Sequence, residues 1–207
     1  MKQFVLFFLL AGPLAGFSEY RLWSDKKGNC IEAELMDTNP AQVSVRDKEG
    51  KVYKFHPSKL SAADQKYLKT AFPPEMEIIF SKIQDRHKSG YYSAQVMMSG
   101  SIIVKSKRPT QYTKSMKTVL VMVGENQRDN SAVILDRVEA AFDFKHSQQY
   151  KLQGVTFQMY EDKYDNSYGT KYKGFLAVVL DSDNKLLAIK SSRKDYTAKY
   201  AKIIALK

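Results

Sequence analysis

Short runs of alternating apolar and polar residues, separated by turn residues, fill positions 21–68 and constrain the fold more than any other feature. Alternation with a period of two predicts strands that bury one face, and glycine or Asn-Pro between such runs predicts tight turns. A capping-box pattern at Ser61 and Asp64 then predicts a helix that reaches Leu68 or a little further. The stretch therefore predicts a small β domain with a helix at its end. Strands are predicted at 20–24, 30–36, 42–46 and 51–55.

The apolar residues of this stretch suit the core of a small barrel. At roughly 25 cal/mol per Å² of buried apolar surface, such a set leaves a domain that is only marginally stable alone. Cys30 precedes the alternating Ile31, Ala33 and Leu35, so its side chain is expected on the opposite, solvent-facing side. As the only cysteine, it cannot form an intramolecular disulfide, although pairing between two chains stays open. The expected core is Trp23, Ile31, Ala33, Leu35, Val43, Val45, Val52, Phe55, Leu60 and Leu68.

The first 18 residues have the pattern of an export signal. Lys2 precedes an apolar run that starts at Phe4, and small residues follow. The uninterrupted run before Pro13 is much shorter than the ~20 residues that a membrane-spanning helix needs. We therefore expect residues 1–18 to be a signal peptide, and the mature protein to be soluble, without a transmembrane anchor, in a periplasm or outside the cell.

Several short motifs in the stretch occur in a defined order and spacing. They are Arg21-x-Trp23-x-Asp25-x-x-Gly28, Ala33, Val43 and Val45, Gly50-Lys51-Val52, and Leu60-Ser61-x-x-Asp64-x-x-Tyr67-Leu68. Together they resemble the Sla-type homology domain, a family named after the first homology domain of a eukaryotic endocytic adaptor. Similar versions occur in exported bacterial proteins. The resemblance covers about 48 of the 207 residues.

This resemblance implies an SH3-like small barrel with a capping helix over residues 19–70, and peptide binding as its function. Eukaryotic members recognise a short Asn-Pro-Phe-type sorting motif, and basic side chains meet the acidic residue of that motif. The basic residues near the matching hairpin are the candidates for peptide binding here, although each also fits a solvated strand face. They are Arg46, Lys48, Lys51 and Lys54.

A boundary follows the predicted helix. Pro73 and Pro74 end the helix and stiffen a short linker. Residues 75–83 have apolar side chains at positions 76, 78, 79, 80 and 83, which predicts a short helix, with a strand as the alternative. The linker and this helix together are expected to span residues 71–90.

Residues 91–207 are expected to form a second β domain. Short apolar runs separated by Gly, Asn, Asp and Ser predict seven or eight strands, which favours an antiparallel β-sandwich of immunoglobulin-like size. The last two strands are expected to form a hairpin around Asp181, and this tail is loosely similar to those of other exported bacterial proteins with the homology domain. Strands are predicted at 92–98, 101–105, 118–123, 132–135, 138–144, 151–160, 174–180 and 185–190.

Positive charge is concentrated in the second domain. Residues 73–207 contain 22 basic and 14 acidic residues, which accounts for +8 of the net charge of +11. A basic domain is attracted to anionic partners such as acidic polysaccharide. Because the charges are dispersed and arginine is scarce, nucleic acid is not expected as a partner, and a solubilising surface is the alternative interpretation.

Residue types that carry chemistry do not cluster. His56, His87 and His146 fall in separate segments without metal-ligand spacing. Glycine-serine nucleophile turns, phosphate-binding loops and dinucleotide-binding motifs are absent from the sequence. Asp181 and Asp183 resemble the start of a calcium loop, but the required glycine and distal glutamate are missing, so a hairpin turn is expected. We therefore expect no enzyme activity, no metal and no cofactor.

Four tyrosines recur every four residues at positions 160, 164, 168 and 172, in a stretch whose polar residues and Gly169 argue against a helix. One interpretation is a loop whose tyrosines pack on the edge of the sandwich. The other is an aromatic and basic contact surface that stacks on sugars, bases or peptide side chains. Its members would be Tyr164, Tyr168, Lys171 and Tyr172.

Taken together, these features predict an exported, non-enzymatic binding or adaptor protein that recognises a protein or an extended peptide through the SH3-like domain. The alternative is a structural envelope protein that binds anionic polysaccharide through the basic β-sandwich.

Overall fold

The computed structural model describes residues 20–88, 93–162 and 168–205, and the chain divides into two compact units, Met1–Ala62 and Ala63–Lys207. The described residues form three antiparallel four-stranded sheets and a few short helices. This confirms the prediction of a mainly β, antiparallel fold. The expected signal peptide lies outside the described residues, and the division falls at the start of the first helix rather than after it.

The first unit is a four-stranded meander. Its strands are β1 (Arg21–Ser24), β2 (Cys30–Thr38), β3 (Val43–Asp47) and β4 (Val52–Phe55), each paired with the next. A 3₁₀ helix, Pro57–Lys59, follows β4. The chain then returns to the end of β1, where Leu60 forms an antiparallel bridge with Asp25 and the Ser61 N–H donates to the Ser24 carbonyl. All four predicted strands are confirmed to within two residues.

The core of this unit lies on one face of the meander. Trp23 is 1% exposed, and its indole Nε1–H donates to the Ala33 carbonyl oxygen at 2.9 Å. The prediction for Val52 is wrong, since its side chain is half-exposed. Val52 pairs with Arg46 on the outer face, and the period of two turns its neighbour Tyr53 inward instead. The other buried members of the predicted core in this unit are Ala33, Leu35, Val43, Val45 and Leu60.

Helix α1, Ala62–Ala71, begins where the capping pattern predicts. Asp64 and Leu68, four residues apart and therefore on one helix face, are both buried. Two prolines then end the helical segment, as expected.

The second unit contains two sheets. In one, the central strand β6 (Ser93–Ser106) pairs with β5 (Met76–Lys88) along one edge and with both β9 (Gln149–Gln153) and β10 (Phe157–Asp162) along the other. The strands of the other sheet are β7 (Met116–Asn126), β8 (Ala132–Phe142), β11 (Thr170–Leu180) and β12 (Leu186–Ser191). Their order across the sheet is β12-β11-β7-β8.

Apolar side chains from both sheets form one core between them. Phe80 of β5 and Phe175 of β11 stack with ring centroids 3.7 Å apart. The opposite face of the second sheet is also covered, since Tyr196 and Ile203 pack against its valines from the short helices α2 (Lys194–Ala198) and α3 (Tyr200–Ala205). Burial on both faces explains why β7 and β11 are continuous apolar runs rather than alternating ones.

Several boundaries in this unit differ from the predictions. Residues 75–83 are not a helix but the first part of β5, because pairing with β6 continues from Met76 to Lys88. The predicted strands 92–98 and 101–105 are one strand, as are 132–135 and 138–144. Conversely, the predicted strand 151–160 is divided into β9 and β10. The hairpin at Asp181 is confirmed, since the Asp181 side chain accepts from the N–H groups of Asp183 and Lys185.

Candidate binding pocket

An open pocket of about 340 Å³ lies within the first unit. Small-molecule and side-chain sites in proteins occupy clefts of a few hundred Å³ with mostly apolar walls and a few polar groups at the rim. This pocket has that composition. Its lining comprises Trp23, Ser24, Asp25, Asn29, Cys30, Ile31, Tyr53, Phe55, Lys59 and Leu60.

The apolar walls come from one face of the meander. Trp23 and Ile31 are cross-strand partners on β1 and β2, and Tyr53 and Phe55 are two residues apart on β4. Residues at such spacing share a face of a sheet. Leu60, buried below them, follows the 3₁₀ helix. Three of the wall residues are only partly buried: Ile31, Tyr53 and Phe55. Their apolar surface is therefore accessible to a ligand without any change in the fold of the domain.

The turn between β1 and β2 forms one side of the rim. The Asp25 carboxylate accepts from the N–H groups of Lys27 and Asn29, at 2.8 and 2.9 Å, and from the Asn29 side-chain amide at 2.8 Å. The amide of Asn29, followed by the backbone donors, holds the pKa of Asp25 below its usual value. Asp25 therefore remains anionic at neutral pH and fixes the shape of the rim.

Lys59 and Cys30 complete the rim. Lys59 is exposed and lies at the end of the 3₁₀ helix, where its ammonium can meet an acidic group of a ligand. Cys30 is an exposed free thiol, as expected, and its Sγ lies 3.5 Å from the Gly28 carbonyl oxygen. The alternation of Cys30 with Ile31 in the sequence does not predict that Cys30 also borders a pocket.

None of the four basic candidates lines this pocket. Arg46 is ion-paired with Glu34, and the Lys48 ammonium lies 2.8 Å from Glu32. Arg46 and Lys54 alternate with the inward-facing residues of β3 and β4, so they lie on the outer face of the sheet. Lys51 contacts a lining residue without lining the pocket itself, since its ammonium lies 5.0 Å from the centre of the Tyr53 ring.

The expected aromatic and basic surface is spread over different faces of the second unit. Tyr164 lies outside the described residues. Tyr168 is half-exposed and Lys171 is exposed, whereas Tyr172 alternates with Lys171 and packs against the core. The Lys82 ammonium lies 4.6 Å from the centre of the Tyr172 ring. Burial, with a smaller contribution from Tyr196, raises the pKa of Tyr172 to about 12.

Among the residues that the structure describes, no three His, Cys, Asp or Glu side chains are grouped as a metal site would require. Within the same residues, none of the helices has the length and apolar character needed to cross a bilayer.

Sequence reasoning missed the pocket, although its signal is present. Trp23, Tyr53 and Phe55 all lie in predicted strands, and Trp23 and Phe55 also belong to the predicted core, but the alternation pattern alone indicates no role for Tyr53. Two aromatic residues at i and i+2 on an edge strand indicate a partly exposed aromatic face once the pairing of that strand is known.

No protein-family model matches the chain, and a search among curated protein sequences finds no match. Among solved structures, the chain is similar to a crystal structure from Akkermansia muciniphila, with 12% sequence identity over 68% of this chain and 81% of that chain. The TM-score is 0.30, and a similarity at that level carries no argument about fold or function. The resemblance to the Sla-type homology domain therefore stays a prediction from the residues quoted above.

Proposed function

We propose that this chain is an exported, non-enzymatic binding protein whose first unit is an SH3-like Sla-type homology domain that binds an extended peptide in the pocket beside Trp23. The observation that carries the proposal is the pocket itself. Its floor is apolar and aromatic, its size suits one or two side chains, and charged groups are confined to its rim.

The path of the chain supports the SH3-like assignment. Four antiparallel strands in sequence order are followed by a 3₁₀ helix and by a residue, Leu60, that pairs back with the end of β1. Such a return brings the last segment against the first strand, as in a small barrel. For the second unit, two antiparallel sheets around a shared core support a sandwich of immunoglobulin-like size.

The chemistry of the rim and walls limits which peptides can bind. A peptide side chain that enters between Tyr53 and Phe55 must be apolar, because the walls offer few hydrogen-bond partners. An acidic residue of the same peptide can then meet Lys59, while Asp25 disfavours an acidic residue on the opposite side of the rim. We therefore propose a ligand that contains one bulky apolar residue with an acidic neighbour.

The single cysteine allows a direct test. Cys30 can be labelled with an environment-sensitive dye without further engineering, since it is the only thiol in the chain. Peptides selected from a random display library on the unlabelled mature protein are then titrated against the labelled protein. We expect enriched peptides to carry an aromatic or large aliphatic residue and to change the dye emission on binding.

Two variants of β4 provide a matched comparison. Phe55→Ala removes a wall of the pocket, whereas Val52→Ala removes an exposed side chain from the outer face of the same strand. Peptide binding should weaken about tenfold or more in the first and stay unchanged in the second, as expected for one anchor side chain at a binding site. Equal binding by both variants, or selection of no peptide at all, would refute the proposal.

A further inference from the structure

The hairpin between β3 and β4 fixes the direction of the backbone groups of β4. At its turn the Asp47 N–H donates to the Lys51 carbonyl oxygen, so Lys51 directs its backbone groups toward β3. Backbone groups alternate between the two sides of an antiparallel strand, and the register of β3 with β4 contains no shift. Tyr53 and Phe55 therefore also direct their backbone groups toward β3.

Val52 and Lys54 direct their N–H and C=O groups to the other side of β4. That side is an outer edge of the first sheet, since β4 pairs with β3 alone. Among the described residues, no backbone hydrogen bond outside the regular strand pairing reaches any residue of β4. An edge of this kind binds an extended chain by adding it as a further strand, and the main-chain hydrogen bonds supply affinity.

The pocket beside Trp23 lies next to this edge. Its lining includes Tyr53 and Phe55 of β4 but no residue of β3, so it opens on the side of β4 that faces away from β3. Side chains of an added strand alternate between the two faces of the sheet, in step with those of β4. A ligand residue opposite Phe55 therefore lies on the face that contains the pocket. The same strand can form the main-chain hydrogen bonds and supply the apolar side chain.

Lys54 offers the added strand a second contact, on the opposite face of the sheet. Its side chain is exposed, and it forms no ion pair with any of the described residues. A ligand residue opposite Lys54 points away from the pocket and toward this ammonium. A ligand that only inserts a side chain into the pocket has no residue there. An acidic residue opposite Lys54 is the complementary choice.

We propose that the peptide bound by the first unit adds to the outer edge of β4 as a further strand, with a bulky apolar residue opposite Phe55 in the pocket and an acidic residue opposite Lys54 on the outer face. This mode of binding rests on the proposed function of the first unit and specifies how the ligand is held. Val52 contributes backbone groups alone, so its replacement by alanine leaves the mode of binding intact.

The test uses the purified protein and two fluorescent, end-blocked heptapeptides, TSFETST and its reverse TSTEFST. The first in the antiparallel orientation, and the second in the parallel one, place phenylalanine opposite Phe55 and glutamate opposite Lys54. We expect one of them to bind, measured by fluorescence anisotropy. Binding should weaken about two- to fivefold in Lys54→Glu, in which one exposed ion pair becomes repulsive, and a lysine-for-glutamate peptide should restore it. Lys151→Glu, on β9 of the second unit, is the control of equal charge change and should leave binding unchanged.

Backbone methylation distinguishes strand addition from the insertion of a side chain alone. In the antiparallel peptide the amides of the residues opposite Val52 and Lys54 face β4, and in the parallel peptide the amides opposite Tyr53 and Phe55 do so. N-methylation of the set that faces β4 should abolish binding. N-methylation of the alternate set should preserve it.

The outcomes that contradict strand addition differ from those that contradict the pocket. Binding that tolerates both methylated sets but is lost in Phe55→Ala would overturn strand addition and leave the pocket as the binding site. Failure of both heptapeptides while peptides selected by display still bind would also overturn it, and equal losses in Lys54→Glu and Lys151→Glu would overturn the contact with Lys54. If no peptide of either kind binds, the proposed function is refuted as well. A circular dichroism spectrum of each variant establishes that the fold is intact.

Discussion

The carboxyl group of Asp136 is buried, and burial disfavours its charged form. Replacing Asp136 with an uncharged residue should therefore stabilise the protein. Asp136 lies where the pairing of β7 with β8 shifts register, and its side-chain Oδ2 is buried without a partner among the described residues. An added Cβ at Gly154 would lie 2.5 Å from this oxygen and 2.8 Å from the Gly100 carbonyl oxygen, so two acceptors face the same narrow space. Desolvation raises the pKa of Asp136 above its ordinary 3.8, and hydrogen bonds from the Arg137 and Val155 N–H groups only partly offset it.

The direction of the pH effect follows from this shift. Because the folded protein holds the proton more tightly than the unfolded chain, the stabilising contribution is fully present below the ordinary carboxyl pKa. It is lost as the pH rises through the raised, folded-state pKa. Asp136→Asn is neutral at every pH and nearly identical in shape. A buried polar atom without a partner costs about 1–3 kcal/mol, so we expect the variant to gain about that much at pH 7 and almost nothing in acid.

Calorimetric unfolding of the protein between about pH 4 and pH 8 measures this difference, and ~1 kcal/mol corresponds to a rise in Tm of about 2–4 °C. Fluorescence of Trp23, the only tryptophan, follows the first unit and should not change. Asp195→Asn is a control for which the pH dependence of stability should have the opposite sign. The hydrogen bond from Arg193 lowers the pKa of Asp195, so that carboxylate stabilises the fold above its ordinary pKa and the contribution is lost in acid. An Asp136→Asn variant that is less stable than the wild type at pH 7 would refute the reasoning.

Three further substitutions probe individual contacts. Gly169→Ala should destabilise the second unit by about 1–3 kcal/mol in chemical denaturation, because φ is +98° and a Cβ would lie 2.2 Å from the Tyr160 carbonyl oxygen. Trp23→Phe should cost the first unit about 1–3 kcal/mol, since the buried Ala33 carbonyl loses its 2.9 Å donor. Tyr172→Phe should remove from the ultraviolet titration of the folded protein one tyrosine that ionises near pH 12, whereas an unchanged titration curve would contradict the burial of that hydroxyl.

The strands of the first unit were predictable because each has a clear local signal. Trp23, Ala33, Val43 and Val45 alternate with polar residues, and glycine or Asn-Pro marks each turn. The pocket was not predictable, because it depends on which strands become neighbours. The register that sets Trp23 beside Ile31 is a property of the assembled sheet.

The errors in the second unit have the same origin. Apolar residues at 76, 78, 79, 80 and 83 fit a helix face and a strand equally well, and only the pairing with β6 decides between them. Gly100 lies between the predicted strands 92–98 and 101–105. Its missing side chain instead allows the Met122 sulfur to approach, since a Cβ there would lie 2.6 Å from it, and β6 continues through it.

The pairing of β6 also sets the order in which the chain can reach its final structure. The first unit has all its strands once residue 55 is present, and its pairings are between neighbours in sequence. The second edge of β6 cannot pair until β9 and β10 have been synthesised. Similarly, β7 cannot pair with β11 until β11 is present, and β11 begins 44 residues after β7 ends. Such distant pairings slow folding. In a chain that is synthesised from its amino terminus, the first unit therefore has all its strands long before the second, whose inner strand β11 lacks its last partner until β12 is complete at Ser191.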